Sequence, residues 1–254
     1  MKVFKFGGAS LKDADSVRNV ASVLKNFSGE QIIVVVSAMG KITNSLEKLA
    51  DAYFYKKSQA KSILQEIEKY HLESVSNLFM DRSHAVYKEL AAIFKGMEQN
   101  LNKAPSDSYN KEYDQIVSMG EIISSRIVSD YLNEAGVVNN WLDIRNVIKT
   151  DKTYREGKVD WEQTESLSRG LADGIRLTQG FLGRTEDGFT TTLGREGSDY
   201  TAAILAYCTN AESVTIWKDV PGVMNADPKW FDETKLIEQM SYHCLLYTSD
   251  AADE

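Results

Sequence analysis

Cysteine, proline and histidine are all scarce in this chain of 254 residues, which holds two, three and three of them. Two cysteines, Cys208 and Cys244, cannot build the dense disulfide framework of a small secreted domain and read as reduced thiols. His71, His84 and His243 form no metal-ligand spacing, which leaves surface or structural roles for all three. Proline is too sparse for a Pro-rich linker, and no internal repeat or low-complexity tract is present. No apolar run approaches the roughly 18–20 residues of a membrane span. Positive charge is also short: 29 Lys and Arg against 37 Asp and Glu leave a net −8. That balance excludes nucleic acid or an anionic membrane as the main partner, and any phosphate site must gather its own cations. A strand pattern begins at residue 3, so no secretory leader is expected and the expected location is cytoplasmic.

What is present is an ordinary globular composition, 43% hydrophobic and 26% charged, arranged as strands and helices in alternation. Val3–Phe6 reads as a strand broken by Gly7-Gly8. A helical pattern follows at once, with Val17, Val20, Ala21, Leu24 and Phe27 on one face. Gln31–Ser37 contains an unbroken β-branched run, as a parallel strand covered on both faces requires. A second glycine turn then leads to a helix with Leu46, Leu49, Ala50 and Tyr53 inward, capped by Thr43 or Asn44. Residues 57–101 are charged and glycine-poor with helical period, and a loop follows over Asn102–Asn110. One helix is expected over Tyr113–Asn133, then strands at Val137–Leu142, Ile175–Gly180 and Phe189–Thr192. The helix Ser198–Cys208 precedes a strand at Ser213–Trp217. The pattern predicts an α/β three-layer sandwich with a mainly parallel central sheet and a helical side lobe over about 57–112.

Four loops follow strands, and in an open parallel sheet such loops converge on one ligand crevice. They are Lys5–Ser10, Ser37–Asn44, Thr191–Asp199 and Trp217–Lys229. In the first, Gly7 and Gly8 let backbone amides approach an anion closely, and Lys5 supplies a mobile positive charge. In the third, Gly194 and Gly197 flank Arg195, and a helix starts at Ser198 or Asp199. Amides, helix dipole and guanidinium together suit an anion.

The combination Lys5-Phe6-Gly7-Gly8, Ser37…Thr43-Asn44, Met119-Gly120-Glu121, Leu193-Gly194-Arg195…Gly197-Ser198-Asp199 and Asp219-Val220-Pro221-Gly222…Asp227-Pro228 resembles the aspartate kinases, a branch of the amino acid kinase fold. The motifs run in family order from residue 1 to about 243. The resemblance implies ATP-dependent phosphorylation of the β-carboxylate of L-aspartate. It implies that Lys5 and Asp199 act in catalysis, Asp199 orienting Lys5. Arg195 would take the α-carboxylate and Glu121 the α-amino group, with Thr43, Ser37 and Ser198 beside them. Lys5, Phe6, Gly7, Gly8, Lys218, Asp219, Met224 and Lys229 would contact ATP, and Mg2+ would be held by phosphate oxygens and water. Family dimers are often made through ACT domains, so the oligomeric state is left open, with a homodimer among the options. A carboxylate nucleophile is ionised at pH 7, so no general base is needed and none is evident.

The chain departs from the family pattern in several places. Ala9 replaces a threonine, Glu196 a glycine, Lys218 a threonine, Met224 a tyrosine and Lys229 an arginine. Residues 244–254 match nothing expected and read as a non-native tail on a catalytic domain expected to be incomplete at its C-terminus and to lack the family's regulatory ACT domains. Another amino acid kinase, or a ligand-binding fragment without turnover, are the competing readings.

Overall fold

The computed structural model describes residues 1–171, 173–218, 220 and 222–241. It divides into two compact units, Met1–Trp217 and Lys218–Glu254.

In the first unit the chain alternates as its patterning predicts: β1 (Lys2–Phe6), α1 (Ala14–Lys25), β2 (Ile32–Val36) and α2 (Ile42–Phe54). The helical lobe follows as α3 (Ala60–Leu78), α4 (Ala85–Leu101) and α5 (Tyr109–Val117). Then come α6 (Met119–Glu134), β3 (Asn140–Leu142), α7 (Trp161–Ser168), β4 (Ile175–Gln179), β5 (Leu182–Arg184), β6 (Thr190–Thr192), α8 (Gly197–Cys208) and β7 (Ser213–Trp217). The central sheet has the order β3-β4-β2-β1-β7. All four of its strand pairings are parallel.

Strand period sorts the core into two layers. Phe4, Phe6, Ile32, Val34 and Val36 join one cluster with apolar faces of α1 to α6. Val3, Ile33 and Val35 join the other, with Ala202, Ile204 and Leu205 of α8. Every residue of β2 is fully buried, as its unbroken apolar run requires. The same alternation puts Lys5 on the α8 side of the sheet, since it follows Val3 by two residues.

Four expectations are corrected. The helix expected over Tyr113–Asn133 is two helices, α5 and α6, meeting at Ser118. The Ser118 hydroxyl bonds back to the Gln115 carbonyl at 3.3 Å, a local bond that competes with the helical ladder. Phe189–Thr192 yields β6, which leaves the main sheet and pairs antiparallel with β5. A three-residue run carries too little pattern to specify its partner. The first helix does not follow Gly7-Gly8 directly: a single 3-10 turn, Gly8–Leu11, intervenes, and Asp13 caps α1 through the Ser16 amide at 2.8 Å. Neither Thr43 nor Asn44 caps α2, whose N-cap is Lys41. The helix α7 had no sequence signal assigned to it.

Two of the three histidines are structural. His71 is fully buried in α3, and His84 caps α4 by accepting the Val86 amide at 3.2 Å. His243, Cys244 and the tail 244–254 lie outside the described residues, as do Asp219 and Pro221. In the second unit, Asn225 N donates to Lys235 O at 3.0 Å and Ile237 N to Val223 O at 2.8 Å, forming a short antiparallel turn. Among the described residues no helix is long and apolar enough to cross a membrane.

Candidate functional site

A cavity of about 750 Å³ opens at the carboxyl edge of the sheet in the first unit. Three of the four expected loops reach it: Lys5, Ser37, Thr43, Glu121, Arg195 and Ser198 all line its wall. The fourth loop belongs to the second unit. There Lys218 and Lys229 are exposed and Met224 is half-buried.

Lys5 is only 5% exposed, and its Nζ lies 2.6 Å from Asp199 Oδ1. Burying an ammonium among Val3, Val35 and the α8 side chains costs several kcal/mol unless an opposite charge stands beside it. The first turn of α8 supplies that charge. Gly7 sits next to the ammonium, where a Cβ would come within 3.4 Å of Nζ. Gly8 also has a packing role. A Cβ there would lie 2.7 Å from the Gly40 carbonyl and 2.9 Å from that of Ala38, so this glycine lets the first two loops touch. Phe6 turns its ring into the core, stacked on Trp217 at 5.8 Å.

Glycine also sets the approach of α8. A Cβ at Gly180 would stand 2.5 Å from Ser198 Cβ, and one at Gly197 would stand 2.4 Å from the Phe181 ring. The helix therefore begins one residue earlier than expected, at Gly197, with Glu196 in the left-handed region at φ 52°. No side chain caps α8, whereas Asp13, His84, Ser108 and Asp160 cap α1, α4, α5 and α7. Arg195 is exposed on the wall beside this helix start.

Glu121 is not a solvent-facing helical glutamate. It is 3% exposed in the first turn of α6, and its Oε1 accepts the Ala38 amide at 3.2 Å. Its Oε2 has no partner among the described residues. Burial pushes the carboxyl up to about 8, against the opposing effect of the Ala38 amide.

The sequence reading missed the far wall, made by Glu47, Asn110, Tyr113, Phe181 and the segment Thr153–Glu156. It also missed Asp114, which holds that wall. Asp114 is fully buried; its Oδ2 accepts Arg155 N at 2.9 Å and Thr192 N at 3.0 Å, and its Oδ1 accepts Thr192 Oγ1 at 2.7 Å. Burial pushes this carboxyl up to about 6 while the bonds from Arg155 and Thr192 oppose it. The available signal was an acidic residue set among the inward positions Tyr113, Ile116 and Val117. Nothing in sequence marked residues 153–156.

A profile of the amino acid kinase family matches residues 1–252. The lysine-sensitive aspartokinase 3 of Escherichia coli is 31% identical over 94% of this chain and 54% of its own length. The chain thus spans about half of that relative. The crystal structure of Escherichia coli aspartokinase III with aspartate and ADP superposes with a TM-score of 0.84 at 31% identity, covering 93% of this chain and 53% of that one. Aspartate kinase from Clostridium acetobutylicum superposes with a TM-score of 0.79 at 25% identity, covering 97% and 54%. With the profile spanning nearly every residue and the parallel sheet presenting its loops at one edge, the chain belongs to the amino acid kinase family.

Proposed function

We propose that this chain carries the catalytic apparatus of an aspartate kinase, which converts L-aspartate and MgATP to 4-phospho-L-aspartate and ADP, the first step toward lysine, threonine and methionine. The observation that carries the reading is the buried Lys5–Asp199 pair at 2.6 Å, set in a cavity that also gathers Glu121, Arg195, Thr43, Ser37 and Ser198. The names of the relatives agree with it.

In this reading a β-carboxylate oxygen of aspartate attacks the γ-phosphorus of ATP. The new P–O bond forms as the bond to the β,γ-bridging oxygen breaks, and ADP leaves with that electron pair. The carboxylate is already ionised at pH 7, so no proton has to be removed. The barrier lies in bringing two anions together, which positioning and positive charge must lower. Lys5 neutralises the transferring phosphoryl group, and Asp199 holds its ammonium in place. Arg195 grips the α-carboxylate with a planar fork that a lysine lacks. Glu121 accepts the α-amino group through Oε2, with Thr43, Ser37 and Ser198 as hydroxyl donors. Phe6, Gly7, Gly8, Lys218, Asp219, Met224 and Lys229 remain the proposed nucleotide contacts, by resemblance. Magnesium would be held by phosphate oxygens and water and enter as part of the MgATP substrate, by the same resemblance.

The test is hydroxylamine trapping of aspartyl phosphate from purified chain, L-aspartate and MgATP, beside Lys5→Ala. Hydroxamate formed by the wild type and lost in the variant is the expected result. Aspartate binding without turnover would favour a ligand-binding fragment, and turnover with another acceptor would favour a different amino acid kinase.

A further inference from the structure

Arg155 stands on the cavity wall in a backbone conformation that its side chain does not favour. Its φ is 72°, in the left-handed region where glycine is the comfortable residue. Such strain persists only where the surroundings over-determine it, and it concentrates at functional sites. Here the surroundings are visible. The Arg155 amide donates to Oδ2 of the buried Asp114, which also takes the Thr192 amide and so ties the segment to β6. The guanidinium lies over the ring of Tyr113 at 4.3 Å, and the Tyr113 hydroxyl donates to Glu47 Oε1 at 2.6 Å. The Arg155 side chain also acts as a hydrogen-bond partner of the Tyr113 hydroxyl, and stacking leaves the remaining in-plane N–H donors of the fork at the edge. Among the described residues no carboxylate lies within ion-pairing distance of those donors. The fork thus stands at the cavity wall with the Asp114 carboxyl acting on it electrostatically and no ion pair of its own among the described residues.

We infer that Arg155 is a further substrate-binding residue that takes a carboxylate of the amino-acid acceptor, with Asp114 as its positioning residue. The inference rests on the aspartate reading above. It adds a second guanidinium opposite a dicarboxylate substrate, so that Lys5 remains with the phosphoryl group. A surface arginine with no ligand would have no need of a strained, doubly anchored backbone.

Arg155→Gly is a favourable test because glycine accepts this φ, so the fold should hold its thermal midpoint. Calorimetric titration with L-aspartate and, separately, with MgADP gives the readout. The variant should bind L-aspartate about tenfold more weakly, a change of about 1.4 kcal/mol, with MgADP unchanged. Arg155→Lys should recover only part of the loss, since lysine is a point charge. Asp114→Asn should weaken L-aspartate to a similar extent, and combining it with Arg155→Gly should add nothing further to the affinity loss. Unchanged L-aspartate affinity in Arg155→Gly overturns the inference while leaving the aspartate reading intact. Weakened MgADP alone overturns it too, by assigning the fork to the nucleotide. A lower midpoint with normal affinity in Asp114→Asn removes its positioning role. Wild-type chain that binds no L-aspartate overturns the aspartate reading itself and this inference with it.

Discussion

The two sides of the cavity handle buried ionisable groups in opposite ways. On the β1–α8 side, Lys5 is matched by Asp199 at 2.6 Å, so the charge is compensated within the protein. On the helical side, Glu121 has one backbone partner, and in the helical lobe away from the cavity wall His71 has one carbonyl, Ile67 O at 2.8 Å; neither has an ion partner among the described residues. Desolvation then wins: Glu121 is pushed up to about 8 and His71 down to about 4, which favours the neutral form of both at pH 7. A paired charge is preorganised to meet an anion. An unpaired carboxyl with a spare oxygen waits for a cation to arrive with the ligand.

Breaking the paired side should have the largest effect. Lys5→Ala removes the compensated cation and should lower turnover by about 10²–10³, the scale typical of a lost preorganised electrostatic contact. Asp199→Ala should fall in the same direction, because it leaves the ammonium of Lys5 buried without its partner. Hydroxamate assays check both, and a rate within threefold of wild type in Lys5→Ala would remove Lys5 from the reaction.

Glu121→Gln sharpens the contrast. Losing the carboxyl that ionises against the arriving substrate ammonium should weaken L-aspartate by about 10- to 100-fold, following the roughly 1.5–3 kcal/mol of a charged hydrogen bond. Stability should move the other way. The folded carboxyl keeps its proton to about pH 8 while the unfolded one releases it near its ordinary 4.5, so wild-type stability falls as pH rises through that window. Glutamine has no such penalty. The variant should melt above wild type at pH 8, with the gain shrinking toward pH 4.5; identical melting at both pH values would contradict the buried, uncompensated state of Glu121.

The smallest expected effect belongs to His71, which is remote from the cavity wall. The unfolded imidazole gains its proton near 6.5 and the folded one only near 4, so stability is lost as pH falls. From pH 6.5 to 5 the loss should be about 2 kcal/mol, and His71→Leu should flatten it. Thermal midpoints of both proteins at pH 7 and pH 5 decide the point.

Legibility followed the strength of the local pattern. Ile32–Val36 declared a doubly covered parallel strand, and Lys5-Phe6-Gly7-Gly8 with Gly194–Asp199 declared two of the site's loops. The break at Ser118 and the partner of β6 were not legible, because a hydroxyl bond to Gln115 and a three-residue pairing leave no periodic trace. Close backbone approach was legible at Gly8, but its contact with the Gly40 and Ala38 carbonyls was not, because those residues lie 30 and more positions away.

By itself the sequence determined the parallel sheet, the helical lobe, the local supply of cations and the identity of most residues on the near wall. These follow from period, glycine placement and residue chemistry, all of which act over a few neighbouring positions. Only the tertiary structure decided which charge is compensated and which is not. It closed the Lys5–Asp199 contact that the family resemblance had implied, sealed Glu121 behind Ala38 and brought Asp114 to Arg155 and Thr192 across 41 and 78 residues of chain. Electrostatic outcome depends on burial and on the nearest opposite charge, and both are set by long-range packing that no local window contains.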